Sequence, residues 1–200
     1  MTKPIFLILT GATGNARRIA SCEELAREYW PEARVFMPNY LSRLRGVRDV
    51  GEWLEGWLKR MIEPEAPIFI FAFILGGAVL PYAPTLMKRA RKVVLLRSRY
   101  QEGVPRLLRR KLGRWGTTLV ASRAVAELGT EEFWPYDFQL PCPQRILVET
   151  VPTPLARWLG VDCLSDDELK IVDYKEMAID HNSAYHSREL MKEVTEWLKA

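Results

Sequence analysis

The chain has 200 residues, of which 48% are hydrophobic and 27% are charged, and its formal net charge is +4. This length suits one globular domain with a sizeable core, so we expect a single domain over residues 1–200. No apolar run approaches the roughly 18 residues that span a bilayer. The N-terminus lacks a signal-peptide pattern, and three widely separated cysteines indicate neither disulfides nor a metal site. We therefore expect a cytoplasmic protein with reduced thiols, no metal and no cofactor.

Two strands and a helix are predicted at the start of the chain. The apolar run Pro4–Thr10 predicts the first strand, and the glycine-bearing turn Gly11–Gly14 closes it. In the helix that follows, Ser21 and Glu24 have the spacing of a capping box, which is typical of a helix start. Ala33–Met37 predicts the second strand.

The most regular helical pattern in the chain opens at Asp49, which has capping-box spacing to Glu52. Its apolar residues recur every three or four positions, which is the period of one helix face. They are Val50, Trp53, Leu54, Trp57, Leu58 and Met61. We expect this face, including both tryptophans, to pack against the sheet as part of the core.

The central strand is predicted at Ile68–Leu75, an unbroken apolar run that ends at Gly76 and Gly77. A short run without polar alternation is typical of a strand buried on both faces, as in the middle of a parallel sheet covered by helices. The paired glycines permit a close backbone approach, either in a tight strand-to-helix turn or against a neighbouring strand.

The second half of the chain continues the alternation of strands and helices. A helix can begin near Pro81 or Pro84, because proline suits a first helical turn, and Lys92–Leu96 predicts the fourth strand. Further helices are predicted at Val104–Arg114, Thr117–Leu128, Pro154–Leu159 and about Ser187–Lys199, and further strands at Gln144–Glu149 and Leu169–Tyr174. The pattern predicts an α/β fold: a mostly parallel six-stranded sheet with helices on both faces, in a three-layer sandwich.

Positive charge is concentrated in the segment Lys88–Arg114, where eleven basic residues stand against one acid, Glu102. The segment carries +10, which leaves the rest of the chain at −6. Leucines and Trp115 are interspersed with these cations, as on surface helices that bind lipid head groups or nucleic acid. A solvated basic face whose leucines dock on the core is the commoner arrangement. The basic patch consists of Arg106, Arg109, Arg110, Lys111 and Arg114.

Three stretches together resemble the α/β-hydrolase fold. Ile5–Gly14 stands where such proteins have a strand and a glycine-rich oxyanion loop, and Ile68–Gly77 stands where their strand leads to the nucleophile elbow. Ala178–Leu198 resembles the last loop and final helix of the family, with His181 in the position of its catalytic histidine. In this order and spacing they cover nearly the whole chain and resemble a small, lid-poor member of the superfamily.

The resemblance implies a site without its nucleophile. The elbow pattern G-x-S-x-G falls on Ala72–Gly76, where Ile74 takes the place of serine and has no hydroxyl. For the acid, the fifth strand ends in Glu149, with Asp162 behind it as a second candidate. The implied oxyanion-like, ligand-binding group is Gly11, Ala12, Ile74 and Leu75. We therefore predict a hydrolase-like pseudoenzyme, a binding or scaffold module for a small molecule or a protein.

A displaced nucleophile is the alternative that retains catalysis. Ser98 follows the fourth strand at the carboxyl edge of the sheet, where open α/β folds place ligands, and Ser183 lies in the loop of His181. Either hydroxyl could serve an esterase-like hydrolase in which His181 is the base and Glu149 the acid. For each serine, a hydrogen bond to the loop backbone is the commoner role.

A nucleotide-binding protein is the third alternative, because the turn Gly11–Gly14 also resembles the dinucleotide loop of short-chain dehydrogenase-like Rossmann proteins. Arg17 stands in place of the third glycine of that loop, however. The second strand ends at Met37–Asn39 without an acid for a ribose. The Tyr-x-x-x-Lys pair of that family is absent too.

Overall fold

The structure, a computed structural model, describes residues 2–11, 16–40, 44–133 and 140–200. Its strands are β1 Ile5–Leu9, β2 Arg34–Phe36, β3 Ile68–Phe73, β4 Ala90–Ser98, β5 Gln144–Glu149 and β6 Lys175–Met177. They form one six-stranded sheet in the order β2-β1-β3-β4-β5-β6, and every neighbouring pair is parallel. The predicted parallel six-stranded α/β architecture is confirmed.

Helices connect the strands and continue past the last one. Within the described residues the α-helices are α1 Ala16–Tyr29, α2 Val47–Met61, α3 Ile74–Val79, α4 Pro84–Arg89, α5 Gly103–Val120, α6 Arg123–Leu128, α7 Pro154–Leu159, α8 Asp166–Leu169 and α9 Arg188–Lys199. Short 3-10 turns lie at Leu80–Tyr82, Glu131–Phe133 and Ser183–His186. None of the described helices combines the length and the apolar character needed to cross a membrane.

Both faces of the sheet are buried. Along β1, Leu7 and Leu9 belong to one hydrophobic cluster, whereas Ile8 between them belongs to another, because successive side chains of a strand point to opposite faces. Helices α2, α3, α4 and α6 contribute side chains to the first cluster, and α1 and α9 contribute to the second. The sheet is therefore the middle layer of three.

The turn from β3 into α3 is tight, because the strand ends at Phe73 and the helix begins at the next residue, Ile74. Gly76 lies inside α3, and a Cβ added there would come within 2.4 Å of the carbonyl oxygen of Leu9 on β1. The helix thus approaches β1 at a distance that only glycine permits. The predicted close backbone approach is present, although the strand stops short of the predicted end at Leu75.

Two predicted helix starts are wrong. Ser21 lies in the middle of α1, where its hydroxyl is hydrogen-bonded to Nδ1 of His186 at 2.7 Å instead of capping the helix. Helix α2 begins after Gly46, and Asp49 is its third residue, with a carboxylate that accepts a hydrogen bond from the Gly46 N–H at 2.8 Å. Asp49 is therefore the third helical residue, whose side chain bonds back to the cap, and not the cap residue itself.

The sixth strand was also predicted in the wrong place. Its predicted range, Leu169–Tyr174, begins with the last residue of α8, and the side chain of Leu169 is buried in a small third cluster. The observed strand, β6, is held at the sheet edge by pairing with β5, where Leu147 stands opposite Lys175. Edge strands tolerate polar side chains, so the hydrophobic pattern does not reveal this one.

The basic segment Lys88–Arg114 does not form one surface, because it contains β4, a buried strand of the sheet. Arg97, inside β4, is buried and paired with Glu102 through two bonds, Nε to Oε1 at 2.7 Å and Nη2 to Oε2 at 2.8 Å. The five cations of the predicted basic patch all lie on α5. Non-helical backbone at Gly113 divides α5 into two segments, next to the predicted helix end at Arg114.

Candidate active site

A buried histidine–glutamate pair lies at the carboxyl edge of the sheet. Glu149 is the last residue of β5, and His181 lies in the loop between β6 and α9. Nδ1 of His181 is 3.1 Å from Oε1 of Glu149, and the two side chains are 3% and 0% exposed. When Glu149 is ionised, its carboxylate can only accept a hydrogen bond, and in that state Nδ1 of a neutral His181 carries the proton and Nε2 is an acceptor. The structure thus brings together the candidate base and the candidate acid.

Only one of the two carboxyl oxygens of Glu149 has a hydrogen-bond partner among the described residues. Its Oε2 makes no hydrogen bond to any described residue, although the side chain is fully buried. Burial raises the pKa of Glu149, and the nearby charge of Glu102 acts in the same direction. His181 lowers this pKa, as does Ser98, which stands opposite Glu149 on β4. Burial is the largest of these effects, so the carboxyl group holds its proton more tightly than an exposed glutamate does.

Two aromatic rings and a glycine surround the imidazole. Phe73 stacks on Tyr185 with ring centroids 4.3 Å apart, and both rings meet His181 edge-on at 6.0 and 5.9 Å. The Tyr185 hydroxyl accepts a hydrogen bond from the Gly11 N–H at 3.0 Å. A Cβ added at Gly11 would come within 2.7 Å of Nε2 of His181. The end of β1 therefore packs directly against the imidazole, and any side chain at this position would displace it.

Sequence reasoning missed Phe73 and Tyr185. A signal for each is present: Phe73 immediately precedes the elbow position, and Tyr185 follows His181 by four residues in the same loop. Burial raises the pKa of the Tyr185 hydroxyl, so this group stays protonated and can donate as well as accept a hydrogen bond.

Ile74, the residue at the predicted nucleophile position, has a packed aliphatic side chain. Ile74 is the first residue of α3, is 6% exposed, and belongs to the cluster on the α2 face of the sheet. Phe73, one residue earlier, belongs to the cluster on the opposite face, beside His181. Among the described residues, Lys170 is the sole non-glycine residue with positive φ. The bend at Ile74 thus lacks both the hydroxyl and the strained backbone of a nucleophile elbow.

Of the predicted oxyanion-like residues, Gly11, Ile74 and Leu75 lie in the described part of the chain, and Ala12 lies outside it. The Gly11 amide donates to the Tyr185 hydroxyl. Leu75 is the second residue of α3, and the first amides of a helix have no partner within the helix. A role of these residues in binding a carbonyl or an anion stays a prediction.

The candidate serines differ in their distance from the pair. Ser98 is buried beside Glu149, whose pKa it lowers, and its hydroxyl accepts a hydrogen bond from the Gln101 N–H at 3.1 Å. Ser183 is exposed, and its hydroxyl donates to the Asp180 carbonyl at 3.0 Å. Neither hydroxyl is hydrogen-bonded to His181. Among the described residues, no three histidine, cysteine or acidic side chains are grouped closely enough to hold a metal ion.

Comparison with known proteins gives matches of structure alone: no family model matches the sequence, and neither does any curated protein. A Bacillus licheniformis lipase, BlEst2, is similar over 98% of this chain and 92% of its own, with a TM-score of 0.71 and 13% identity. An extracellular α/β-hydrolase from a Paenibacillus species is similar over 98% of each chain, with a TM-score of 0.63 and 12% identity. This chain has the α/β-hydrolase fold.

The α/β-hydrolase fold does not by itself assign a reaction to this chain. A third similar structure is the bottromycin epimerase BotH in complex with bottromycin A2, which matches 98% of this chain and 91% of its own, with a TM-score of 0.50 and 14% identity. Proteins described as a lipase and as an epimerase thus share the architecture. The chemistry of this α/β-hydrolase-fold chain has to be argued from its own side chains.

Proposed function

We propose that this α/β-hydrolase-fold chain is a binding module that takes a small carbonyl-bearing or anionic molecule at the carboxyl edge of its sheet and forms no acyl-enzyme. The observation that carries the proposal is Ile74 in the place of the attacking serine. A serine hydrolase needs a hydroxyl, a histidine that takes its proton, and a carboxylate that orients the histidine. This chain retains the second and third groups and lacks the first at the position where the fold presents it.

The His181–Glu149 pair supports recognition as readily as catalysis. With Nδ1 held by the carboxylate, the imidazole has a fixed orientation and offers Nε2 as an acceptor. The Leu75 amide, at the start of α3, supplies a donor for a carbonyl or carboxylate oxygen. Phe73 and Tyr185, both fully buried, pack edge-on against the imidazole and help to fix its orientation.

The second candidate function is an esterase-like hydrolase with a displaced nucleophile. The 3.1 Å contact between His181 and Glu149 favours it, because a base held by an acid is two thirds of the usual catalytic arrangement. The hydrogen bonds that hold Ser98 and Ser183 to other groups disfavour it. The nucleotide-binding alternative is disfavoured, because the Gly11 amide donates to the Tyr185 hydroxyl and is not free to bind a pyrophosphate.

A fluorophosphonate probe separates the two candidates. The native chain should remain unlabelled under conditions that fully label an active serine hydrolase included as a positive control. Labelling of the native chain that disappears in Ser98→Ala or Ser183→Ala, and in His181→Ala, would establish a displaced nucleophile and overturn the proposal.

Ligand-observed NMR with a panel of small carboxylates, esters and amides tests the binding role. Compounds that bind the native chain should lose their signal changes in His181→Ala and keep them in His186→Ala. His186 is the matched control because it is the other histidine of the chain, is exposed, and contacts Ser21 on α1. Equal binding by both variants would place the ligand away from the His181–Glu149 pair.

A further inference from the structure

Helix α5 is attached to the fold differently from the helices that cover the sheet. None of its residues belongs to the three hydrophobic clusters of the described residues. It packs instead on α6, where a Cβ at Gly129 would lie 2.5 Å from the carbonyl oxygen of Pro105, and Nη1 of Arg109 donates to the Ala126 carbonyl at 3.2 Å. The helix therefore has a face that the core does not cover.

That face is apolar to an unusual degree for a surface. Trp115 is 80% exposed and Leu119 is 73% exposed, and the side chains of Leu112 and Val120 are exposed as well. The break at Gly113, with φ of 65°, falls inside a continuous exposed stretch over residues 110–115. Four exposed aliphatic and indole side chains between Leu112 and Val120 of one helix are a feature of interaction sites.

The same face carries uncompensated positive charge. Helix α5 contains five cations and no acid. Arg110, Lys111 and Arg114 form no ion pair with any described residue, although Arg110 lines a cavity of about 240 Å³ with Asp162 and Glu168. Acids of neighbouring elements line a cavity of about 420 Å³ together with Arg114. These acids already have other partners: Arg123 binds Asp49 and Glu127, and Arg48 binds Glu132.

We propose that this face docks on an anionic lipid surface; the α5 surface is defined as Arg110, Lys111, Leu112, Arg114, Trp115, Leu119 and Val120. Its cations would meet the head groups while Trp115 and the aliphatic side chains enter the interfacial region, as in amphipathic helices that lie on membranes. Nucleic acid is a poorer match, because a duplex offers no partner for the aliphatic side chains and single strands favour aromatic stacking.

A second exposed tryptophan lies on α7, and the segment that follows α7 meets the start of α5. Helix α7 starts from the same sheet edge, after β5, and Trp158 on it is 81% exposed. The segment after α7 meets α5 directly, since a Cβ at Gly103 would lie 2.8 Å from Val161. Two exposed tryptophans on adjoining elements fit an interface with lipid head groups, where indole rings concentrate.

Co-sedimentation with lipid vesicles tests the proposal. The native chain should bind vesicles of phosphatidylcholine with phosphatidylglycerol and leave vesicles of phosphatidylcholine alone unbound, and added salt should weaken the binding. The double variant Arg110→Gln with Lys111→Gln should lower the affinity about thirtyfold. The matched control, Lys59→Gln with Arg60→Gln on α2, removes two exposed cations elsewhere and should bind like the native chain.

The apolar contribution is tested separately. Trp115→Ser with Leu119→Ser should reduce vesicle binding at least tenfold, whereas Val172→Ser, at another exposed apolar position, should leave it unchanged. Because all of these positions are on the surface, we expect each variant to fold like the native chain. Thermal unfolding of each variant checks this. The proposal is overturned if the native chain ignores anionic vesicles or binds neutral ones equally well. It is also overturned if the Trp115/Leu119 variant binds vesicles normally while the native chain binds a DNA duplex more tightly than vesicles.

Discussion

Glu149 shows how much one residue can be shaped by its surroundings. Its carboxyl group is fully buried, one oxygen is bonded to His181, and the other has no partner among the described residues. An ionised carboxylate in that position loses the water that would stabilise its charge. The same arrangement that orients the imidazole therefore costs stability whenever Glu149 is ionised.

The pH dependence of stability follows from the raised pKa of Glu149. The folded chain binds this proton more tightly than the unfolded chain, so the stabilisation is complete below the ordinary glutamate pKa of 4.5 and is lost as pH rises through the native pKa. Glu149→Gln removes the titration. We expect the melting temperature of this variant, relative to the native chain, to increase with rising pH between about pH 4 and pH 8.

Thermal unfolding in a series of buffers measures this effect. Glu65→Gln, at an exposed position, is the control and should show a constant difference from the native chain over the same range. A Glu149→Gln variant whose relative stability falls as pH rises would show that the native carboxylate is stabilised, contrary to the expectation.

The sequence locates part of the candidate site and not the rest. His181 and Glu149 could be nominated because the resemblance to the α/β-hydrolase fold implies a histidine in the last loop and an acid at the end of the fifth strand. The position of Tyr185, four residues after His181, marks it as a neighbour of the site, but its hydrogen bond to Gly11, 174 positions away, could not be predicted. Contacts of that separation leave no periodic signal.

At the scale of elements, the sequence predicts the bounds of a strand or helix well where its own side chains mark them. Strand β5 and helix α7 have the predicted boundaries, and α9 begins one residue after its cap, Ser187. The signals are a short apolar run, a proline in the first helical turn and a serine cap. Strand β6 was missed because backbone pairing with β5, rather than its own side chains, makes it a strand.

The junction of β3 and α3 offers a test of packing between elements. Gly76→Ala places a methyl group 2.4 Å from the Leu9 carbonyl oxygen, and neither backbone can move freely, so the unfolding free energy should fall by about 3 kcal/mol. Gly56→Ala on α2 is the matched control, with its nearest contact the flexible end of Arg60 at 3.3 Å. It should raise stability by about 0.5–1 kcal/mol, because alanine favours a helix more than glycine does.

Urea denaturation of the two variants measures both changes. Equal effects on the two positions would mean that α3 does not approach β1 as closely as described.

At the scale of the whole molecule, the two-sided burial of the sheet predicts the accessibility of the thiols. Cys22 lies on α1 in the cluster against the sheet, and burial raises its pKa to about 12. Cys142 is half-buried, and burial raises its pKa as well, whereas Cys163 is exposed. Because the thiolate is the reactive form, alkylation should modify Cys163 first, Cys142 more slowly, and Cys22 only after unfolding.

Peptide mapping by mass spectrometry after timed iodoacetamide treatment follows the three sites separately. Modification of Cys22 as fast as Cys163 under native conditions would contradict the packing of α1 on the sheet.

The hydrogen bond between Gly11 and Tyr185 has a consequence for how a newly made chain matures. Most of the sheet can pair while synthesis is still in progress, since β1, β3, β4 and β5 all precede residue 150. The environment of the imidazole cannot assemble until translation has passed Tyr185, and then a loop of nearly the whole chain has to close. A ribosome-bound intermediate that has not reached Tyr185 would accordingly lack the contact with Gly11, so that the surroundings of His181 form after strands β1, β3, β4 and β5 have been made.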